Sequence, residues 1–127
     1  MPNTTQLFRP VGLYELRLIR DSGYTAFPPR LPEQPIFYPV LNQEYAAQIA
    51  REWNMPEEKS GYLGVVTTFD VESAYLSQYE EKVVGSASHR ELWIPAEDLA
   101  EFNRHIVGKI RVMSAFYGER YEGEREW

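Results

Sequence analysis

Tyr62-Leu63-Gly64-Val65-Val66-Thr67-Thr68-Phe69 is the stretch that decides the fold: β-branched and aromatic residues in an almost unbroken run, which reads as a strand. The chain on either side is ordered around it. C-terminal to it, Asp70 suits the cap of a short helix through Leu76, and residues 79–84 read as a weaker strand. Gly85-Ser86-Ala87-Ser88 is a loop of small residues, and Glu91-Leu92-Trp93-Ile94 is a further strand. Pro95 opens a helix with Glu97 and Asp98 in its first turn, Leu99, Phe102 and Ile106 as its apolar face, and Gly108 as its stop. Residues 109–117 alternate as a closing strand.

N-terminal to the decisive run, residues 54–61 form an exposed turn. Before it, Asn42 caps a helix that runs to about Trp53. Tyr45, Ile49 and Trp53 recur every four residues, widened by Ala46 and Ala50, which reads as a core face. Residues 36–41 precede it as a strand. Pro28, Pro29, Pro32 and Pro35 make the preceding loop stiff and non-helical; it is either a rigid connection or a shaped wall over a pocket, carrying Arg30. Residues 24–27 alternate weakly as a strand. Residues 13–21 are a helix with Leu13, Leu16 and Ile19 on one face and Gly23 as its stop, and residues 7–11 are a first strand that Pro10 confines to an edge or ends. This order lacks the regular spacing of a doubly wound sheet. It predicts a single α+β domain over residues 1–117, a largely antiparallel mixed sheet with three helices, followed by a charged, frayed tail over 118–127.

At 127 residues the chain supports one core, burying roughly two thirds of its unfolded surface. The absence of cysteine excludes disulfide scaffolds, thiolate metal sites and a cysteine nucleophile, and two histidines leave little for a metal cluster. Thirteen basic against 19 acidic residues give a net charge of −6, which disfavours general binding to nucleic acid. Ten of the basic residues are Arg, the side chain suited to bidentate contact with phosphate or carboxylate. No apolar run approaches the ~20 residues of a membrane span, and residues 1–6 are polar, so a soluble cytoplasmic protein is the expectation.

The sequence has no Gly-rich phosphate loop, no His-Glu-x-x-His and no Gly-x-Ser-x-Gly. Glu57-Glu58 and Glu80-Glu81 read as solvated pairs, and His105 as a cation at a helix end. His89-Arg90-Glu91 stands out, because charged residues entering a buried strand need partners or water.

Leu7-Phe8-Arg9-Pro10-Val11, the helix ending at Gly23, and Ile36-Phe37-Tyr38 ahead of the helix Glu44-Tyr45-Ala46-Ala47-Gln48-Ile49-Ala50 resemble the amino-terminal half of small ADP-ribosyltransferase-like domains. Val65-Val66-Thr67-Thr68-Phe69-Asp70-Val71 and Glu91-Leu92-Trp93-Ile94-Pro95-Ala96-Glu97-Asp98-Leu99 are similar to the second half, so the likeness covers about residues 7–117. The chain also looks like short bacterial proteins labelled by association with ADP-ribosylation and crystallin-type glycohydrolases. The resemblance implies NAD as a substrate and the following site residues. Arg9 matches a first-strand cation that holds the nicotinamide ribose or phosphate. Tyr38 is nearest to the residue set against the nicotinamide ring. Glu91 matches the carboxylate that bonds ribose and stabilises an oxocarbenium-like transition state. Arg30 or His89 belongs at the rim of that cleft, with His89 able to orient a ribose hydroxyl. His89 stands two residues before Glu91, so no Glu-x-Glu or Gln-x-Glu motif, the family's signature of transfer to an Arg acceptor, exists at Glu91. Two other readings stand beside this one. The first is a non-catalytic module that binds a nucleotide or protein partner through the proline loop and Tyr14, Tyr62 and Trp127. The second is an acidic inhibitor or immunity-type protein for a basic partner.

Overall fold

The computed structural model describes residues 3–86 and 89–127; Met1, Pro2 and, in the small-residue loop, Ala87 and Ser88 lie outside the described residues. In chain order the elements are β1 (Thr4–Val11), α1 (Leu13–Asp21), β2 (Ile36–Phe37), α2 (Gln43–Ile49), β3 (Leu63–Glu72), α3 (Ser73–Leu76), β4 (Glu81–Val83), β5 (Arg90–Leu92), β6 (Ile94–Pro95), α4 (Leu99–Arg104) and β7 (Ile106–Tyr117). The architecture is mixed α+β with antiparallel pairing in every sheet. Among the described residues there are four α-helices against the three read from the sequence, α3 being a single short turn between β3 and β4.

The decisive run is the central strand. β3 pairs with β1 on one side, Leu7 opposite Phe69, and with β7 on the other, Thr68 opposite Arg111. Both its faces are covered. Leu63, Val65, Phe69 and Val71 point into the main core with Leu16 and Ile19 of α1 and Phe102 of α4. Val66 points the other way, into a smaller cluster with Phe8, Val40, Ala46 and Ala50. Four phenylalanines knit the main core: Phe27 contacts Phe69 at 4.8 Å and Phe37 at 5.0 Å between ring centres, and Phe37 contacts Phe102 at 5.4 Å. Each such side chain contributes about 1.5–3 kcal/mol by burial alone.

Several boundaries differ from the sequence reading, each for a physical reason. Residues 24–27 form no strand. Tyr24 takes a left-handed φ of 61° just after Gly23 at 76°, and its amide closes the helix end on the Ile19 carbonyl. The strand read over 36–41 is regular only at β2, with Val40 bridging onward to Phe8 and Glu91. β3 runs on to Glu72, so Asp70 is a strand residue facing Arg111 rather than a helix cap. Gly108 stops no helix. α4 ends at Arg104, and Gly108 supplies a φ of 78° in β7 beside the register shift between Thr68 and Asp70.

The helix capped by Asn42, whose side chain accepts from the Tyr45 amide at 3.0 Å, is regular only to Ile49. From Ala50 to Asn54 it widens into a π turn, closed by the Met55 amide on the Ala50 carbonyl at 2.9 Å. Trp53, inside the π turn, is 69% exposed, and the face read as Tyr45, Ile49 and Trp53 is buried at Ala46 and Ala50, with Tyr45 packed partly buried against them.

Residues 118–127 turn back along α1. Tyr121 is buried in the main core, Glu124 bonds both Arg17 and Arg20, and the Arg20 guanidinium lies over the Trp127 ring. The reading of a frayed tail does not anticipate these contacts. Tyr62 and Trp127 are partly buried against the core, which leaves Tyr14 as the exposed one of the three aromatics read as partner contacts. No helix is long and apolar enough to cross a membrane among the described residues.

Candidate functional site

The site is assembled by a short extended segment laid between two strands. Phe8 and Val40 exchange backbone hydrogen bonds at 2.9 and 2.7 Å. On the other side of the same segment, Leu41 donates to the Arg90 carbonyl and Leu92 to the Pro39 carbonyl. Residues 38–41 thereby join β1 to β5, and Tyr38 is carried between Arg9 of the one strand and Glu91 of the other.

Arg9 is buried to 7% exposure, which a guanidinium tolerates only with partners. Its Nε and one terminal nitrogen donate to the two carboxylate oxygens of Glu15, in the first turn of α1, at 2.7 and 3.0 Å. Its other terminal nitrogen donates to the Tyr38 carbonyl at 3.3 Å, and its plane lies 4.5 Å from the Phe37 ring centre.

Glu91 is equally buried, at 9%, and its partners are neutral. The Trp93 indole Nε1 donates to Oε1 at 2.6 Å, and the Tyr45 hydroxyl donates to Oε2 at 3.2 Å. Burial, followed by the Glu91 charge, pushes the Tyr45 hydroxyl above its ordinary pKa, which keeps it a donor. Tyr45 is stacked on the His89 ring at 4.2 Å, and Trp93 meets Tyr38 edge-on at 6.2 Å.

Arg9, Tyr38 and Glu91 line one cleft of about 490 Å³, completed by Tyr45, Asn54 and Trp93. That volume falls in the range of roughly 300–1,000 Å³ of small-molecule pockets. His89 is absent from this lining; it borders a neighbouring cavity beyond Tyr45, so it reaches Glu91 only through the tyrosine. Arg30 lies on the far side of Arg9, in a third cavity. Among the described residues no group of three His, Asp or Glu side chains is placed to hold a metal ion.

Comparison with family models, curated proteins and solved structures finds no match to this chain.

Tyr45, Asn54 and Trp93 are the site residues that sequence reasoning missed. Trp93 carried a usable signal: residues two apart on a strand share a face, so Glu91 and Trp93 point together, away from buried Leu92 and Ile94. Tyr45 was concealed by a regular apolar spacing that the π turn interrupts.

Proposed function

We propose that this chain is an ADP-ribosyltransferase-like protein that recognises NAD or a related nucleotide in the cleft between β1, α2 and β5. The observation that carries the reading is the convergence of Arg9, Tyr38 and Glu91 on that one cleft. Tyr38 and Trp93 offer aromatic walls for a planar base. Glu91, with an oxygen fixed by Trp93 and another by Tyr45, retains lone pairs for a ribose hydroxyl and presents a negative charge where a glycosidic carbon would turn positive. His89 acts at one remove, buttressing Tyr45.

The test is a thermal melt of the full chain with and without NAD. At a hundred times its dissociation constant the ligand adds ~2.7 kcal/mol, several degrees in a domain of this size. The expected outcome is an upward shift in the wild type, retained in Glu91→Gln. If the site also turns over, release of nicotinamide is lost in that variant. No shift at millimolar NAD overturns the reading.

A second reading, a non-catalytic protein-binding module of inhibitor or immunity type, is favoured by one feature: Arg9 is fully engaged by Glu15 and the Tyr38 carbonyl, and the cleft mouth exposes Trp93, Tyr38 and Val84. Under that reading the melt is unmoved by NAD and Ala substitutions of Arg9 and Glu91 leave partner binding intact.

A further inference from the structure

The Arg9 guanidinium divides the aromatic cleft from a separate cavity of about 500 Å³, which is bordered by Arg30 of the proline loop, Glu15 and the start of α1. The side chains of Arg9 and Arg30 are only 8% and 12% exposed, and Glu15 is 22% exposed. Two guanidinium cations therefore share one carboxylate, leaving a positive charge in partly desolvated surroundings. The carboxylate is spent on Arg9, with two bonds at 2.7 and 3.0 Å, whereas Arg30 stands 4.0 Å from it, beyond hydrogen-bonding reach. Arg30 is held by its Nε alone, on the Ile36 carbonyl at 3.1 Å. Among the described residues its two terminal nitrogens have no hydrogen-bond acceptor. Burial, reinforced by the Arg9 charge and opposed by Glu15, holds the Arg30 guanidinium below its ordinary pKa. Glu33, Glu57 and Lys59 also border the cavity, all three exposed to solvent, so the buried charges of its inner wall are those of Arg9, Arg30 and Glu15.

We infer that this cavity is a seat for a phosphate group, bound by the terminal nitrogens of Arg30 together with Arg9, and that Glu15 occupies the Arg9 half of the seat in the free protein. The chemical class follows from competition. An entering monocarboxylate only equals the charge of Glu15 and gains little by displacing it. A phosphomonoester or a doubly esterified pyrophosphate carries about two negative charges, free pyrophosphate about three, and each has oxygens enough for both arginine forks, so it can satisfy Arg30 and share or take Arg9. Glu15 then acts as an internal anion that sets the threshold for binding. The seat shares Arg9 with the aromatic cleft but rests on Arg30 and Glu15 whatever fills that cleft.

The experiment is calorimetric titration of the full chain at low salt with inorganic pyrophosphate, ADP-ribose and nicotinamide riboside, a nucleoside without phosphate. Pyrophosphate is expected to bind the wild type, about tenfold more weakly to Arg30→Gln, and to remain weak in Arg30→Lys, which lacks the planar fork. Glu15→Gln, which vacates the Arg9 half, is expected to bind pyrophosphate about tenfold more tightly. Should Glu15→Gln fail to fold with Arg9 left uncompensated, the Arg30 variants decide alone, because Arg30 keeps one bond and its loss leaves no buried charge unpaired. Equal pyrophosphate affinity in wild type and Arg30→Gln, weaker binding in a folded Glu15→Gln, or no binding to the wild type overturns the inference. ADP-ribose binding more tightly than pyrophosphate supports the seat and assigns the phosphate to a nucleotide reaching across Arg9; equal affinities support it as a site for a free phosphate compound. Pyrophosphate binding without any response to nicotinamide riboside or NAD supports the seat while overturning the nucleotide reading of the cleft.

Discussion

The two faces of β3 are built from side chains of different size, and the difference separates what holds the fold from what shapes the site. On one face Leu63, Val65, Phe69 and Val71 meet α1, α4 and the ring cluster of Phe27, Phe37 and Phe102. On the other, Gly64 and Val66 meet Ala46 and Ala50, so α2 and its π turn lie almost on the sheet backbone. The bulky face supplies most of the burial. The small-residue face supplies closeness, and α2 and the π turn approaching there carry Tyr45 and Asn54 into the cleft.

Truncating each face in turn tests this division. Phe69→Ala removes a fully buried ring that contacts Phe27 and Phe102, and is expected to cost about 3–5 kcal/mol, a fall of roughly ten degrees or more in Tm. The Trp93 indole N–H resonance, fixed by its bond to Glu91, should hold its position in the NMR spectrum of the folded fraction. If that resonance moves as much as in a cleft variant, the two faces are not separable.

Gly64→Ala acts on the opposite face. A Cβ at residue 64 would overlap the Ala50 carbonyl, a backbone group with no rotamer to yield. The expected cost is smaller, about 1–3 kcal/mol. Relief requires α2 to lift, however, so the Trp93 indole resonance and the Tyr45–Glu91 bond should change more than in Phe69→Ala. An unmoved indole signal with lowered stability shows that the π turn absorbs the strain without disturbing the cleft.

The same contrast explains what was legible in the sequence. β3 could be read because burial on both faces demands a continuous run of β-branched and aromatic residues, and α1 because Leu13, Leu16 and Ile19 keep a helical spacing up to the left-handed Gly23. Arg9, Tyr38 and Glu91 could be assembled because each is carried by an element whose order in the chain was readable. The π turn was opaque: no local pattern marks the bond from residue 55 to residue 50, which lies where Ala50 meets Gly64 of the central strand, far away in sequence. Arg9 alone says nothing of Glu15, because the pairing arises where β1 meets the first turn of α1 through Gly12. The tail's contacts were not legible because its composition is charged, whereas they run through the buried Tyr121 and to arginines of α1 about a hundred residues away in sequence.

That docking extends the bulky face and gives the smallest of the expected effects. The Glu124 carboxylate accepts from Arg17 at 2.7 Å and from Arg20 at 2.7 Å. The hydrogen bond from Arg17 is the largest cause, with the Glu124 backbone amide and Arg20 behind it, that holds its carboxyl at about 2 against an ordinary 4.5. A carboxyl with a lowered pKa in the folded state stabilises that state wherever it is ionised in both states, and the contribution fades as pH falls from 4.5 through about 2. Because the pair is exposed to solvent, the effect is small and weakens with salt. Glu124→Gln should therefore be slightly less stable than wild type at neutral pH, with the gap narrowing below pH 4.5 and closing only once the pH falls past about 2. Urea titrations across that window read the gap directly. A gap that persists unchanged into acid means that residue 124 acts by packing alone, and no gap at neutral pH means that Tyr121 holds the tail to the bulky face without help from α1.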